Sequence, residues 1–224
     1  METHLHQELE KLEEKIMRMF SLTERALQNS IQALIDRDDD VATQVIEGDQ
    51  DLNQMEVEIE ELTLNILALW QPVAKDLRFV MACARIANDL ERVGDQSTNI
   101  AERALMLNRK PKVNFLNSIQ NLAEVVMEMF KNSLQAFTNR DCEEADNVCK
   151  KDLQADDLNI KIIKNLIDYM STESIIVERA VHSIIVANAL ERVGDLSTNI
   201  SEDIVFIVRG INVRHSQNFD SACY

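Results

Sequence analysis

The 224-residue chain carries 39 acidic side chains against 23 Lys and Arg, a formal net charge of −16 at pH 7. Such an acidic surface repels the phosphates of nucleic acids and of anionic lipids, so the composition argues against direct nucleic-acid binding and favours metal cations or basic protein surfaces as partners. With only 4 glycines and 2 prolines, the chain also has too few turn residues for a β-sandwich or a β-barrel. The composition therefore predicts an all-α protein.

The N-terminal residues show no basic stretch followed by an apolar run, and no segment reaches the roughly 18 apolar residues that a membrane span requires. These absences predict a cytoplasmic protein that is peripheral to the membrane through partners only. The cysteines, Cys83, Cys142, Cys149 and Cys223, have no Cys-x-x-Cys spacing. We interpret them as reduced, ordinary residues.

Apolar residues recur at helical spacing along most of the chain, which predicts three helices in each half. Asp38 and its acidic neighbours can cap the second helix, and Pro72 is well placed in the first turn of the third. Asp141 can cap the fifth helix, and the Ser-Thr-Glu-Ser segment at 171–174 can cap the sixth. The predicted helices span about residues 4–36, 39–69, 72–108, 114–138, 141–170 and 172–209.

Long helices joined by short turns must run antiparallel, so each half is predicted to form an up-down-up three-helix bundle of the spectrin-like kind. A polar stretch around Pro111 reads as the linker between the halves. We therefore predict two tandem, pseudo-symmetric domains at 1–110 and 111–210. The residues from 211 to 224 lack periodicity and are expected to fray.

The segment 87–102 returns at 187–202 with changes only at positions 89, 96 and 101, so the chain is a tandem duplication. Because most of the repeated residues are polar, the repeat indicates a shared chemistry as well as a shared packing. On a helix these polar residues fall within an arc of roughly 100°, opposite the apolar ones. The polar stripe comprises Asn88, Glu91, Arg92, Asp95, Asn99 and Glu102 in the first copy and Asn188, Glu191, Arg192, Asp195, Asn199 and Glu202 in the second.

The stripe places like charges at positions i and i+4, which destabilises a helix by a few tenths of a kcal/mol unless a cation, an arginine or a metal, lies beside them. The second helix carries another pair of oxygen-bearing side chains at i and i+4, Asp49 and Asn53, which we call a ladder. It matches the pair Asp152 and Asp156 in the fifth helix. Such oxygen ligands suit magnesium, manganese, calcium or iron, and zinc also accepts carboxylates. The candidate metal ligands are Asp49, Asn53, Glu91, Asp95, Asn99, Asp152, Asp156, Glu191, Asp195 and Asn199.

The same pattern has a plainer interpretation, in which the stripe is the solvated outer face of a bundle. Gly94 and Gly194 each weaken a helix by roughly 1 kcal/mol relative to alanine, so we expect them to permit close helix approach. No enzyme motif is present: Glu-x-x-His pairs, a glycine-rich phosphate loop, Gly-x-Ser-x-Gly and His-Glu-x-x-His are all missing. His182 is expected to be a hydrogen-bonded core residue.

Three features together resemble the PhoU family of phosphate-signalling regulators, across about residues 8–210. They are the paired Leu-Glu-Arg-Val-Gly-Asp motifs at 90–95 and 190–195, the segment Pro-Val-Ala-Lys-Asp-Leu-Arg at 72–78, and the two tandem halves. The resemblance implies a non-enzymatic negative regulator that connects a phosphate ABC transporter, through its ATPase subunit, to a sensor histidine kinase. It also implies multinuclear clusters of iron or zinc; ligand type alone favours magnesium or manganese. We further expect a homodimer.

The metal-binding Glu/Asp-x-x-x-Asp motifs of that family map onto three pairs here: Glu91 with Asp95, Glu191 with Asp195, and Asp152 with Asp156. The fourth pair is Asp49 with Asn53, whose amide is an uncharged ligand. Asp89 is replaced by Ala189 in the second copy, so this position is not a required ligand in both halves.

The segment at 72–78 has no counterpart in the second half, so the halves are expected to differ if it contacts a partner. Its candidate partner-binding residues are Pro72, Asp76 and Arg78, although Arg78 could instead pair with a carboxylate within the protein. The rival function is an intracellular metal buffer or sensor. So acidic a chain shows no evident phosphate site, and the transporter is expected to relay the phosphate signal.

Overall fold

The computed structural model describes residues 2–112, 116–172 and 174–213, and over these ranges the regular structure is helical throughout. A short 3-10 turn, Ser174–Ile176, precedes the last helix. The helices are α1 (Glu2–Asp36), α2 (Asp39–Trp70), α3 (Ala74–Asn108), α4 (Leu116–Asn139), α5 (Cys142–Thr172) and α6 (Val177–Arg209). The predicted all-α class with two tandem three-helix bundles is confirmed. None of the described helices is long and apolar enough to cross a bilayer.

Two of the predicted caps are present and are themselves repeated. The Asp38 carboxylate accepts from the amides of Asp40 and Val41 at 3.0 Å, and the Asp141 carboxylate accepts from two amides of the first turn of α5 at 2.9 and 3.2 Å. Each aspartate follows an arginine in the left-handed conformation, Arg37 with φ 61° and Arg140 with φ 54°. The duplication therefore includes the turns as well as the helices.

Two helix starts differ from the prediction. Pro72 is buried but lies outside α3, because Gln71 ends α2 in the left-handed conformation and extended Val73 leads into a helix that begins at Ala74. The hydroxyls of Ser171 and Thr172 donate to the carbonyls of Asp168 and Tyr169. They thus close the end of α5, and α6 begins only after the 3-10 turn.

The two halves pack as one body. Helices α1 to α3 pack on one another, α4 to α6 do the same, and α3 lies along α6 while α1 contacts α4. Phe20 of α1 meets Phe130 and Phe137 of α4 at ring-centroid distances of 5.7 and 5.8 Å, and the buried apolar residues form one continuous core. The helices that carry the repeated segment, α3 and α6, therefore lie side by side.

Helix α6 is capped by Gly210, which is left-handed with φ +74° and whose amide donates to the Phe206 carbonyl. Ile211 is exposed and Val213 is buried, so the first residues of the expected tail are not uniformly exposed. The remainder, 214–224, including Cys223, lies outside the described residues. Cys83 and Cys149 are free thiols, and Cys83 is buried.

A buried ion pair joins the halves across α3 and α6. Arg85 Nη2 lies 2.8 Å from Asp203 Oδ1, and the Asp203 side chain is only 2% exposed. The Arg85 guanidinium also lies 4.8 Å from the centroid of the Phe206 ring. A second pair between the halves, Lys110 with Glu178 at 2.8 Å, is largely exposed.

Replacing Arg85 with alanine is expected to lower the free energy of unfolding by about 3 kcal/mol, because it removes the guanidinium from a buried carboxylate. The matched change Lys110→Gln, in the exposed pair, is expected to cost less than about 1 kcal/mol. Urea unfolding followed by circular dichroism measures both. Equal losses in the two variants would show that burial of Asp203 does not distinguish the pairs.

Candidate metal centres

The repeated glycines let a neighbouring helix approach each polar stripe, as predicted. A Cβ atom on Gly94 would lie 2.7 Å from Leu52 Cδ1 of α2, and one on Gly194 would lie 3.4 Å from Asp152 Oδ1 of α5. On the opposite side of α3, Leu90, Val93 and Ile100 are fully buried. The local sequence thus orients the stripe, and the glycines bring the second ladder to it.

In the second half, three predicted ligands converge. Asp152 and Asp156 of α5 and Asp195 of α6 each offer a carboxylate oxygen within 4.8 Å of the other two. Asp152 Oδ1 is buried and has no hydrogen-bond partner among the described residues. An acceptor in that position, surrounded by other carboxylates, fits a hard divalent cation.

The electrostatics of this cluster reflect burial and like charge. Burial, followed by the carboxylates of Asp156, Asp195 and Glu191, raises the pKa of Asp152 to about 7. Burial and neighbouring carboxylates also raise the pKa of Glu191 and of Asp195. The protein without a cation therefore holds these groups under repulsion, which a cation would relieve.

The equivalent pair in the first half, Asp49 and Asn53, is engaged by hydrogen bonds within the chain. Asn53 Nδ2 donates to Asp49 Oδ2 at 3.0 Å, and Thr98 Oγ1 donates to Asp49 Oδ1 at 3.2 Å. Both Asp49 oxygens are therefore engaged by groups of the chain. The repeat equivalent of that threonine, Thr198, has a buried hydroxyl with no partner in the described part of the chain.

The remaining first-half residues lie near this ladder. Burial raises the pKa of Glu91, with contributions from Asp95 and Glu56, and burial together with Asp49 raises the pKa of Asp95. Asn99 is half-buried on α3. Its counterpart Asn199 lines a pocket of about 330 Å³ beside Asp195.

The predicted partner-binding residues occupy different environments. Pro72 is buried in the turn before α3, and Asp76 lines a pocket of about 290 Å³ between α1, α3 and α6. Arg78 packs against the end of α6, where a Cβ on Gly210 would lie 3.2 Å from the guanidinium. Asp76 is thus the one of the three that we place in this pocket.

Two further outcomes concern residues outside the predicted ligand set. Sequence reasoning missed Thr98 and Thr198, although both belong to the repeated segment and could have been found there.

His182 is half-buried and its Nδ1 has no hydrogen-bond partner among the described residues. The prediction of a hydrogen-bonded core histidine is therefore wrong at Nδ1, because this face of α6 is only partly covered.

The metal-free protein is expected to lose stability as the pH rises from about 4 to about 7. The pKa of Asp152 is higher in the folded protein, so its stabilising contribution is complete below the ordinary pKa of about 3.8 and is lost as the pH rises through about 7. Each pKa unit is worth about 1.4 kcal/mol before solvent screening, so a loss of about 1–2 kcal/mol is expected.

Urea unfolding in EDTA at several pH values measures this loss. The variant Asp152→Asn removes the titrating group and should have the flatter profile. Parallel profiles for the two proteins would contradict the assignment to Asp152.

Comparison with known proteins gives matches along both halves. The PhoU domain matches residues 16–104 and again 119–204. A phosphate-specific transport system accessory protein PhoU homolog from Clostridium acetobutylicum is 33% identical over 207 residues, covering 92% of this chain and 94% of the relative. The Escherichia coli accessory protein PhoU is 34% identical over 208 residues, covering 93% and 86%.

Solved structures give the same result. The crystal structure of PhoU from Pseudomonas aeruginosa matches with a TM-score of 0.90 at 32% identity, covering 92% of this chain and 99% of that one. The phosphate transport system regulatory protein PhoU from Streptococcus pneumoniae matches with a TM-score of 0.87 at 28% identity, covering 93% and 99%. The repeated motif, the paired bundles and these matches agree: the chain belongs to the PhoU family.

Proposed function

We propose that this protein is a negative regulator of phosphate uptake and of the phosphate-starvation response. It acts as an adaptor between the ATPase subunit of a phosphate ABC transporter and a sensor histidine kinase, in the cytoplasm and without catalysis of its own. The observation that carries the proposal is the match over more than nine-tenths of the chain to accessory proteins of phosphate-specific transport. These matches support a role connected with phosphate transport. We infer the ATPase subunit and the kinase as the specific partners.

The second-half cluster supports a metal-binding adaptor. Asp152, Asp156 and Asp195 would hold the cation, with Glu191 and Asn199 on the same stripe available to a further ion. A bound cation would supply positive charge that neutralises the cluster and fixes α5 against α6. The donor set suits manganese, magnesium, iron or zinc.

Helix α5 carries an exposed apolar row that suits the expected homodimer contact. Leu153, Ile160 and Ile167 of α5 are 72%, 63% and 52% exposed, and their seven-residue spacing places them on one side of the helix. An exposed apolar row of this kind marks a protein contact. It supports the expected homodimer, while the pocket at Asp76 offers a separate place for a partner.

The second-half cluster is expected to bind metal and the first-half ladder to bind little. Asp195→Asn should therefore lose most of the bound metal, whereas the repeat-matched Asp95→Asn should keep it, because Asp49 is already engaged by Asn53 and Thr98. Mass spectrometry after dialysis against manganese, magnesium, iron and zinc measures the content. Equal losses would contradict the difference between the halves. Metal-free protein throughout would contradict metal binding but leave the partners untouched.

Partner binding is expected at high phosphate. The transporter ATPase and the kinase should co-purify with the full chain, and Asp76→Asn should weaken at least one of these contacts, while exposed Asp168→Asn on α5 should not. Failure to capture either partner would contradict the adaptor. High metal content, together with unchanged phosphate-starvation gene expression in a deletion strain, would instead favour a metal buffer or sensor.

A further inference from the structure

A pocket opens where α3 and α6 lie side by side, next to the second-half cluster. Its volume is about 330 Å³, and it takes side chains from both halves of the protein. The lining residues are Arg92, Glu191, Arg192, Asp195, Leu196, Thr198 and Asn199. Two guanidinium groups therefore share one pocket, although they come from opposite copies of the repeat. Guanidinium groups are the donors that proteins use most effectively for phosphate and related oxyanions.

The two arginines differ in how their own helix engages them. Arg92 Nη1 donates to Asp89 Oδ1 at 3.1 Å, and that aspartate is buried. The position equivalent to Asp89 is Ala189, which is also buried. Exposed Arg192 therefore has no carboxylate three residues before it. The change from Asp89 to Ala189, one of three in the repeated segment, thus leaves Arg192 without the acceptor that Arg92 uses.

A second donor in the pocket shows the same contrast. Thr98 Oγ1 donates to Asp49, but Thr198 Oγ1 is buried with no partner among the described residues. The amide of Asn199 lies in the same lining. In the first copy Thr98 is engaged by Asp49, and Arg92 uses one N–H group for Asp89 and keeps others for a ligand. In the second copy Thr198 Oγ1 has no partner among the described residues, and Arg192 lacks the equivalent of Asp89.

The pocket also contains two acidic residues, which oppose anion binding unless their charge is neutralised. Glu191 and Asp195 would repel an anion, but Asp195 also belongs to the second-half cluster. Burial, followed by Asp156, raises the pKa of Asp195, while Arg192 and Arg92 lower it. The cluster and the two guanidinium groups therefore act on the same carboxylate. A cation held by the cluster would cancel the repulsion, which makes cation and anion binding mutually favourable.

We propose that this pocket binds a free tetrahedral oxyanion, inorganic phosphate foremost, between Arg92 and Arg192. The protein then responds to phosphate directly, in addition to any signal from the transporter. The inference rests on the proposed function only for its cation, which is expected to strengthen phosphate binding. It departs from the sequence-based expectation of no phosphate site, because a net charge of −16 describes the whole chain and not this pocket.

The test is equilibrium dialysis of the full chain with radiolabelled inorganic phosphate, in Mn²⁺ and in EDTA. Wild type is expected to bind phosphate saturably, and more tightly in Mn²⁺. Arg192→Gln should weaken binding at least about tenfold, the effect of losing one hydrogen bond to a charged group. Ala189→Asp should weaken it similarly by restoring the acceptor that Arg92 has. Arg109→Gln, an exposed arginine beyond the end of α3, should leave it unchanged.

Equal binding by wild type and Arg192→Gln would overturn the proposal, as would the lack of saturable binding in both conditions. Binding of ATP without binding of inorganic phosphate would also overturn it, since the ligand would then be a larger phosphoryl compound. Arginine-dependent phosphate binding in protein that holds no metal would support the pocket and count against only the metal part of the proposed function. Metal and partner binding without phosphate binding would support the proposed function and contradict the phosphate pocket. Because Arg192 is exposed, its substitution keeps the test valid even if Ala189→Asp fails to fold.

Discussion

The candidate site depends on the close approach of α5 to α6 at Gly194. A glycine inside a long helix weakens that helix by about 1 kcal/mol relative to alanine, and here the space it leaves is taken by Asp152, whose Oδ1 lies at van der Waals distance from the missing Cβ position. The contact carries Asp152 and Asp156 to Asp195. Without it, the two acidic ladders would be separate solvated faces, and neither would be a ligand set.

Bringing carboxylates together opposes folding, and the fold must offset that repulsion. Stabilisation comes from the continuous apolar core, in which aromatic contacts such as Phe20 with Phe130 join the halves, and from the buried pair of Arg85 with Asp203. The raised pKa of Asp152 records the repulsion that remains. Protonation or a cation would relieve it, so a site of this kind links the stability of the α5–α6 contact to its occupancy.

Duplication has given two copies of one motif in different surroundings. In the first copy Asn53 and Thr98 engage Asp49, so the ladder supports the packing of α2 on α3. In the second copy Asp152 Oδ1 and Thr198 Oγ1 have no hydrogen-bond partner among the described residues. Because α3 packs along α6, Arg92 of the first copy reaches the pocket of the second. A ligand there would bear on both halves together, which is what a regulator needs if occupancy is to change how it meets its partners.

The sequence by itself determined the helices, the caps at Asp38 and Asp141, the direction of the polar stripe and the family. These depend on contacts within a few residues along the chain, or on motifs repeated in the sequence, so they can be recognised without coordinates. Only the tertiary structure decided that Asp49 is engaged within the chain, that Arg92 and Arg192 line one pocket, and that Arg78 packs on the end of α6. Those outcomes depend on helices whose residues lie tens of positions to more than a hundred positions apart in the sequence. The placement of Pro72 before α3 was likewise decided by how α2 ends. Because α2 continues to Trp70 and Gln71 is left-handed, Pro72 and extended Val73 lie in the connection, although the pattern had assigned them to the third helix.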